Sequence, residues 1–249
     1  MLRALGPDLF AETYGEGPLR VVFLHGWARR GRDFAAAAAE LAHRGVRSLA
    51  LDLPGFGASA PPARGGGARD YAELVVPSLE TALEGPVVLV GHSFGGTVAT
   101  VIAARRPELV RALVLTGAPV LRTPSAVRSP RSYRLVRWAA RRGLVGEARL
   151  ERARQRHGST DYRRASGVMR EVLVASVNES YEDELARLRV PVRLLWGAQD
   201  SEIPVAVAER AAALVGAGAS LRVLAGVGHL VPTEAPGALV EVVEGALGS

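Results

Sequence analysis

The chain has no cysteine and no lysine. The first absence excludes disulfides, thiolate metal sites and a cysteine nucleophile. The second excludes Schiff-base chemistry and the lysine of a phosphate-binding P-loop. All 31 basic residues are therefore arginine, a bias that reads as codon preference rather than a demand of function. No apolar run approaches the roughly 20 residues that cross a bilayer, because Arg, Asp, Gly or Pro interrupts each one, so stable membrane insertion is not expected. The opening stretch, MLRALGPDLFAETYGEG, has no signal-peptide apolar region and no A-x-A site, which makes a cytoplasmic location the expectation.

What is present describes a globular chain: 249 residues, 48% apolar and 22% charged, a length that α/β folds often fill as one core. The net charge of +6 is uneven. Residues 120–170 hold 14 arginines against Glu147, Glu151 and Asp161, a local balance of +11 that leaves −5 on the rest. A basic insert on a mildly acidic body differs from the uniformly basic face of a nucleic-acid binder, and no nucleic-acid partner is expected.

Short runs rich in Val, Leu and Ile predict strands at Leu19–Leu24, Arg47–Leu51, Pro86–Val90, Ala112–Leu115, Val192–Trp196 and Leu221–Leu224. Their near-continuous apolarity suits strands buried on both faces. Helical patterns alternate with them: Asp33–Ala42 with Asp33 as N-cap, Tyr71–Leu83, Phe94–Arg105, Val205–Val215 and Pro236–Leu247. A hairpin around Asp8–Tyr14 is weakly signalled, and Gly65–Gly67 reads as a flexible loop. Such alternation implies crossover units and a mostly parallel, doubly wound sheet. It breaks between Pro119 and Leu188, where Ser132–Arg142, Glu147–Arg156 and Ser166–Asn178 read as helices without strands. The expected division is a core of residues 1–119 and 189–249 with a helical insertion over 120–188, after the sixth strand.

The strongest local signal is Pro86-Val-Val-Leu-Val-Gly91-His92-Ser93-Phe94-Gly95-Gly96, a G-x-S-x-G with a strand before it and a helix former after it. The Ser of such a turn stands clear of the sheet edge, and bulky neighbours at Gly91 and Gly95 would clash. The Phe94 amide then lies at a helix N-terminus, where the macrodipole favours an oxyanion. Nucleotide-binding loops would need G-x-G-x-x-G or G-x-x-x-x-G-K-[ST], and neither occurs.

Four segments in this order give the chain its resemblance to the α/β-hydrolase superfamily: Leu24-His25-Gly26-Trp27, Leu51-Asp-Leu-Pro-Gly-Phe-Gly-Ala-Ser59, the Ser93 turn, and the contexts of Asp200 and His229. The resemblance implies that the insertion is a lid and that the Trp27 amide joins that of Phe94 in an oxyanion hole. It makes His25 architectural, bonded to loop backbone, and the Asp52 segment a structural turn. A Ser hydroxyl also needs a base, and the base a third group to orient it. Of the five histidines, His43 lies near a helix end, His92 occupies the variable position of the turn and His157 sits in the basic insert. His229, in Gly226-Val-Gly-His229, occupies the family's place for the general base. Asp200 occupies the place of the orienting acid, with Glu202 as fallback.

The chemistry implied is acyl transfer on Ser93, with no metal and no cofactor. An esterase of small or medium esters, a thioesterase or esterase acting on acyl groups of an acidic carrier protein, a carbon–carbon bond hydrolase and a ligand-binding scaffold all remain open. Lid residues Leu135, Val136, Trp138, Val168, Met169, Val172 and Leu173 are candidates to line the pocket, though for most of them packing of the lid onto the body is the preferred reading. Arg131, Arg134, Arg137, Arg141 and Arg142 are candidates to attract an anionic substrate, an acidic carrier protein or a membrane surface, and a solvated helix face explains them equally well.

Overall fold

In the computed structural model, which describes residues 1–122 and 160–248 together with 138–140, 142, 144–146 and 149, eight strands form one sheet. In chain order the elements are β1 (Leu2–Ala4), β2 (Phe10–Tyr14), β3 (Leu19–Leu24), α1 (Ala35–His43), β4 (Arg47–Asp52), α2 (Ala68–Ala82), β5 (Val87–His92), α3 (Phe94–Arg105) and β6 (Val110–Thr116). There follow α4 (Thr160–Arg164), α5 (Gly167–Ser176), α6 (Glu182–Arg187), β7 (Val192–Gly197), α7 (Val205–Val215), β8 (Ala219–Leu224), α8 (Val231–Glu234) and α9 (Pro236–Leu247). The strand order is β1-β2-β4-β3-β5-β6-β7-β8. β1 and β2 pair antiparallel, as do β2 and β4, and every pair from β4 to β8 is parallel.

Alternation along the central strands feeds two cores. Val21, Phe23, Val88 and Val90 face α1 and α9, while Val22, Leu24, Val87 and Leu89 face α2, α3 and α7. Both faces being covered, these strands have no solvent side, which is why their sequences read as unbroken apolar runs. β8 departs from that expectation. Arg222 and Val223 are exposed and Leu221 and Leu224 only half-buried, because β8 closes the sheet with a single neighbour, β7.

Several local expectations change. Asp33 does not cap α1: it lies in a short 3₁₀ turn over Gly31–Phe34 and its carboxylate pairs with Arg29. Helix α2 starts at Ala68, three residues before Tyr71. Its first amides are taken by carboxylates, Gly67 N–H donating to Asp70 (3.0 Å) and Ala68 N–H to Glu179 (2.9 Å). The triple-glycine tract is a loop, as expected, and it leads into α2 with Glu171, Asp70 and Glu179 packed against its bare positions. The hairpin is real and begins earlier, at Leu2. The expected helices Ser132–Arg142 and Glu147–Arg156 lie outside the described residues, except for 138–140, 142 and 149; Ser166–Asn178 is observed as α5.

From β3 the chain crosses to β4 on one side, and from β4 it crosses back over β3 to β5 on the other, so the direction of winding changes at β3. Crevices form beyond the strand ends at such a point. His25 and Ser93 follow β3 and β5 there.

Candidate active site

Ser93 stands between β5 and α3 with φ 50° and ψ −119°, a conformation that costs a non-glycine residue on the order of 1–3 kcal/mol. Its amide donates to Thr116 O (2.9 Å), and its carbonyl accepts from Gly96 (2.9 Å) and Thr97 (3.3 Å), so neighbouring backbone holds the strain in place. A Cβ on Gly91 would sit 2.5 Å from Gly96 Cα, and one on Gly95 would sit 2.5 Å from the His25 carbonyl oxygen and closer still to that of Leu24. The turn can exist only where both positions are bare. Among the described residues, no hydrogen bond engages the Ser93 hydroxyl.

Asp200 stands on the loop after β7. Asp200 Oδ1 accepts from the amides of Glu202 (3.0 Å) and Ile203 (2.8 Å), and Trp196 Nε1 donates to Ile203 O (2.8 Å), pinning that loop to the sheet. Oδ2 is left for His229 Nδ1 at 2.8 Å. A carboxylate only accepts, so Nδ1 carries the proton and Nε2 of the neutral ring is free to take one. Burial alone would raise Asp200, yet the bond to His229 and the two amides outweigh it and hold the carboxyl below its usual range. For His229 burial disfavours the charged ring, and the hydrogen bond and charge of Asp200, with Glu202 and Glu234 farther off, outweigh it, so its pKa is raised. The fallback acid, Glu202, approaches Nε2 rather than Nδ1, at 3.7 Å, with its side chain 68% exposed.

Two histidines that the sequence reading set aside are buried at the ends of β3 and β5. His25 donates through Nδ1 to Gly26 O (2.7 Å) and accepts the Leu53 amide at Nε2 (2.9 Å), the architectural role expected of it. Burial keeps it neutral, its pKa lowered. His92 was read only as the variable residue of the turn, yet it is 3% exposed and its ring lies 4.9 Å from that of His229. Its Nδ1 contacts Thr116 O (3.1 Å) and Oγ1 (2.9 Å). Burial, then repulsion from His229, push its pKa down to about 3, so it presents an uncharged face to the second imidazole. Gly117, with φ 54°, is the other unforeseen element. A Cβ there would lie 2.8 Å from the His229 ring and 3.3 Å from Asp200 Oδ2. No motif in the sequence marks it. His43 is exposed, as expected, and His157 lies outside the described residues.

The amides of Trp27 and Phe94 have no acceptor among the described residues. Trp27 packs edge-on against Phe94 (5.8 Å) and Phe56 (5.0 Å), which walls that corner with aromatic rings. Asp52 ties the adjoining turn together, accepting from Gly31 (2.7 Å) and Ala58 (2.8 Å), a structural duty as the motif implied.

Above Ser93 opens a cavity of about 680 Å³, lined by Trp27, Phe94, Leu121, Leu173, Val177 and Ile203, with Arg122, Asp161 and Glu179 as its charged members. Of the lid candidates, Leu173 lines it. Met169 lines an adjoining cleft of about 270 Å³, Val172 is fully buried packing, and Trp138 is half-exposed beneath the Arg142 guanidinium. Leu135, Val136, Arg131, Arg134, Arg137 and Arg141 lie outside the described residues. Among the described residues no group of three or more His, Asp or Glu is placed to hold a metal ion, and no helix is long and apolar enough to cross a membrane.

A sheet wound in this order, with a strained Ser after the fifth strand, defines the class to which the comparisons also assign the chain. The alpha/beta hydrolase family matches residues 21–242, and the chain belongs to it. Over 110 residues the chain is 44% identical to the pimeloyl-(acyl-carrier protein) methyl ester esterase of Chromobacterium violaceum, covering 44% of this chain and 41% of that protein. Over 131 residues it is 38% identical to lipase LipV of Mycobacterium tuberculosis, covering 49% of this chain and 46% of the relative. The chain thus spans less than half the length of the curated relatives it matches. A thermophilic esterase from Thermogutta terrifontis has the same fold, with TM-score 0.71 at 24% identity over 96% of this chain and 92% of that one. So does the thioesterase domain of the curacin biosynthetic pathway, with TM-score 0.70 at 20% identity over 98% of both chains.

Proposed function

We propose that this chain is a serine hydrolase that cleaves carboxylic esters through an acyl-enzyme on Ser93. The observation that carries the reading is the 2.8 Å Asp200–His229 pair, whose imidazole lies 4.9 Å from the ring of His92, the neighbour of a strained Ser93 whose hydroxyl no hydrogen bond engages among the described residues. His229 Nε2 takes the Ser93 proton as Oγ bonds to the ester carbonyl carbon, and the carbonyl π pair moves onto oxygen. The amides of Trp27 and Phe94 hold that oxyanion; one such donor is worth ~2.7–4 kcal/mol of barrier. Collapse expels the alcohol oxygen, which takes the proton back from His229. Water, deprotonated by the same imidazole, then attacks the acyl-enzyme and releases the acid. Asp200 stabilises the imidazolium in both halves and keeps Nδ1 protonated.

The mostly apolar cavity suits an acyl chain of small or medium length. The name of the Chromobacterium relative favours a second reading, in which the acyl group is carried by an acidic carrier protein attracted to the arginines of residues 120–170. Turnover that falls steeply with added salt would support that reading.

Ser93→Ala is expected to abolish hydrolysis of p-nitrophenyl esters and labelling by a fluorophosphonate while leaving the melting temperature intact. Retained turnover would remove Ser93 from the chemistry. Matched oxygen esters and thioesters of rising chain length then decide the leaving group and the acyl length.

A further inference from the structure

His229 is carried by a segment with little to hold it. It follows β8, the outermost strand, in a loop with glycines at 226 and 228, and none of residues 225–230 is fully buried. Two backbone bonds tie the loop's start to the one bearing Asp200, Ala198 N–H to Leu224 O (2.9 Å) and Gln199 N–H to Val227 O (2.9 Å). Beyond Val227, the amides on either side of His229 go to one side chain. Glu234, the last residue of the four-residue helix α8, curls back so that Oε2 accepts from Gly228 N–H (2.6 Å) and Oε1 from Leu230 N–H (3.1 Å). Its own amide donates to Leu230 O (2.8 Å), closing the ring from the other side. A Cβ on Gly228 would sit 3.2 Å from Oε2, a tight contact from which the flexible carboxylate would have to give by a few tenths of an ångström.

We infer that Glu234 is a positioning residue for His229: its carboxylate grips both flanking amides, fixes the aim of the imidazole toward Ser93, and adds negative charge behind the ring. This rests on the reading of His229 as the base. The geometry has a physical logic. The amides at the start of a helix have no partner within it, and a carboxylate that accepts two of them forms charge-assisted bonds stronger than neutral ones. Here the amides it satisfies are that of Leu230, which precedes the first residue of α8, and that of Gly228 on the other side of the imidazole, so one carboxylate both caps the helix start and mounts the base. Asp200 fixes one ring nitrogen, but a single hydrogen bond leaves the ring free to pivot about it, and a displacement of about 1 Å can cost a hundredfold in rate.

The charged and titratable groups facing His229 are Asp200 and Glu202 from the loop after β7, His92 from the end of β5, and Glu234 from α8, with Arg29 acting on His92. Three of these are carboxylates. Removing one leaves the imidazolium less favoured, so the acid limb of the rate profile moves to lower pH.

The test compares Glu234→Ala, Glu234→Gln and Glu234→Asp with wild type in kcat and KM for p-nitrophenyl butyrate from pH 5 to 9, alongside melting temperature. Glu234→Ala should lose about ten- to a hundredfold in kcat with KM little changed, and its acid limb should shift down. Glu234→Gln keeps an acceptor oxygen without the charge. It should recover part of kcat while showing the same downward shift, a separation that a merely structural role would not produce. Glu234→Asp keeps the charge with a shorter reach and should retain the wild-type midpoint with reduced kcat. Should Glu234→Ala fail to fold, the Gln variant decides. Wild-type kcat and midpoint in Glu234→Gln would overturn the inference, as would a loss of rate that follows loss of folded protein alone. Ser93→Ala and His229→Ala run in parallel separate the two failures: if either stays active the proposed mechanism falls, whereas if both are dead and the Glu234 variants are normal only the positioning role falls.

Discussion

Ser93 leaves the buried centre of the sheet on β5, whereas His229 leaves β8, an edge strand whose residues are half-buried or exposed. The difference extends to what holds each in place. Around Ser93 the constraints are steric: bare Gly91 and Gly95 let α3 press against the ends of β5 and β3, and Thr116 O takes the Ser93 amide. Around His229 they are polar, with Asp200 on Nδ1, Glu234 on the flanking amides and Glu202 near Nε2. Added volume at Gly91 or Gly95 should therefore damage the Ser93 side through displaced backbone, while changed charge should act mainly on the His229 side, where Gly117 is the one position at which bulk would also press on the ring and Asp200. Each variant below is a way to break that division.

The largest effect should come from Asp200→Asn. The amide can still accept from Glu202 and Ile203, so the loop keeps its shape, but its NH₂ next to Nδ1 stabilises the tautomer in which Nε2 carries the proton. A fall of about ten-thousandfold in kcat with little change in melting temperature is expected. Near wild-type rates would show that the polar side of the site does not depend on Asp200 and would pass the role to Glu202. On the steric side, Gly95→Ala forces a methyl group into the carbonyls of Leu24 and His25. Backbone of a central strand cannot yield as a flexible side chain can. Thermal or urea unfolding should show a loss of about 3 kcal/mol, at the upper end of what overpacking ordinarily costs. A fully stable Gly95→Ala would mean that the elbow is not sterically determined.

The same division explains what could be read from the sequence. Ser93, Gly91 and Gly95 were legible because steric necessity leaves a local signature, bare residues at fixed offsets from a serine between an apolar strand and a helix. The parallel sheet was legible because burial on both faces writes continuous apolar runs. Where the cause is long-range and polar, the signal is weak. Glu234 sits five residues from His229 at the end of an unremarkable four-residue helix, and its grip on Gly228 and Leu230 depends on a chain reversal that no periodicity announces. His92 looked interchangeable, since its burial against His229 comes from a residue 137 positions away. Gly117 is one glycine among 28, and its seat beneath Asp200 and His229 exists only once β6 and β7 are neighbours. The start of α2 was misread because Glu179, which accepts the Ala68 amide, lies 111 residues on.

The smallest and most discriminating test concerns charge alone. His229 is raised above the ordinary histidine value, so the free-base fraction, and with it kcat/KM, should rise with pH through a midpoint above about 6.5. Stability runs the other way. The imidazolium paired with Asp200 stabilises the fold below the unfolded histidine pKa, and that contribution fades as pH rises through the raised one. Asp200, held low, contributes above the ordinary carboxylate range and loses its contribution as pH falls through the depressed value. Glu202→Gln removes an exposed carboxylate 3.7 Å from Nε2 without touching Asp200 or adding volume. The midpoint should fall by about 0.3 pH units, the scale of an exposed ion pair, and the difference from wild type should vanish in high salt. A midpoint that stays put at low salt would mean that Glu202 turns away from the ring in solution and that the polar mounting of His229 consists of Asp200 and Glu234 alone.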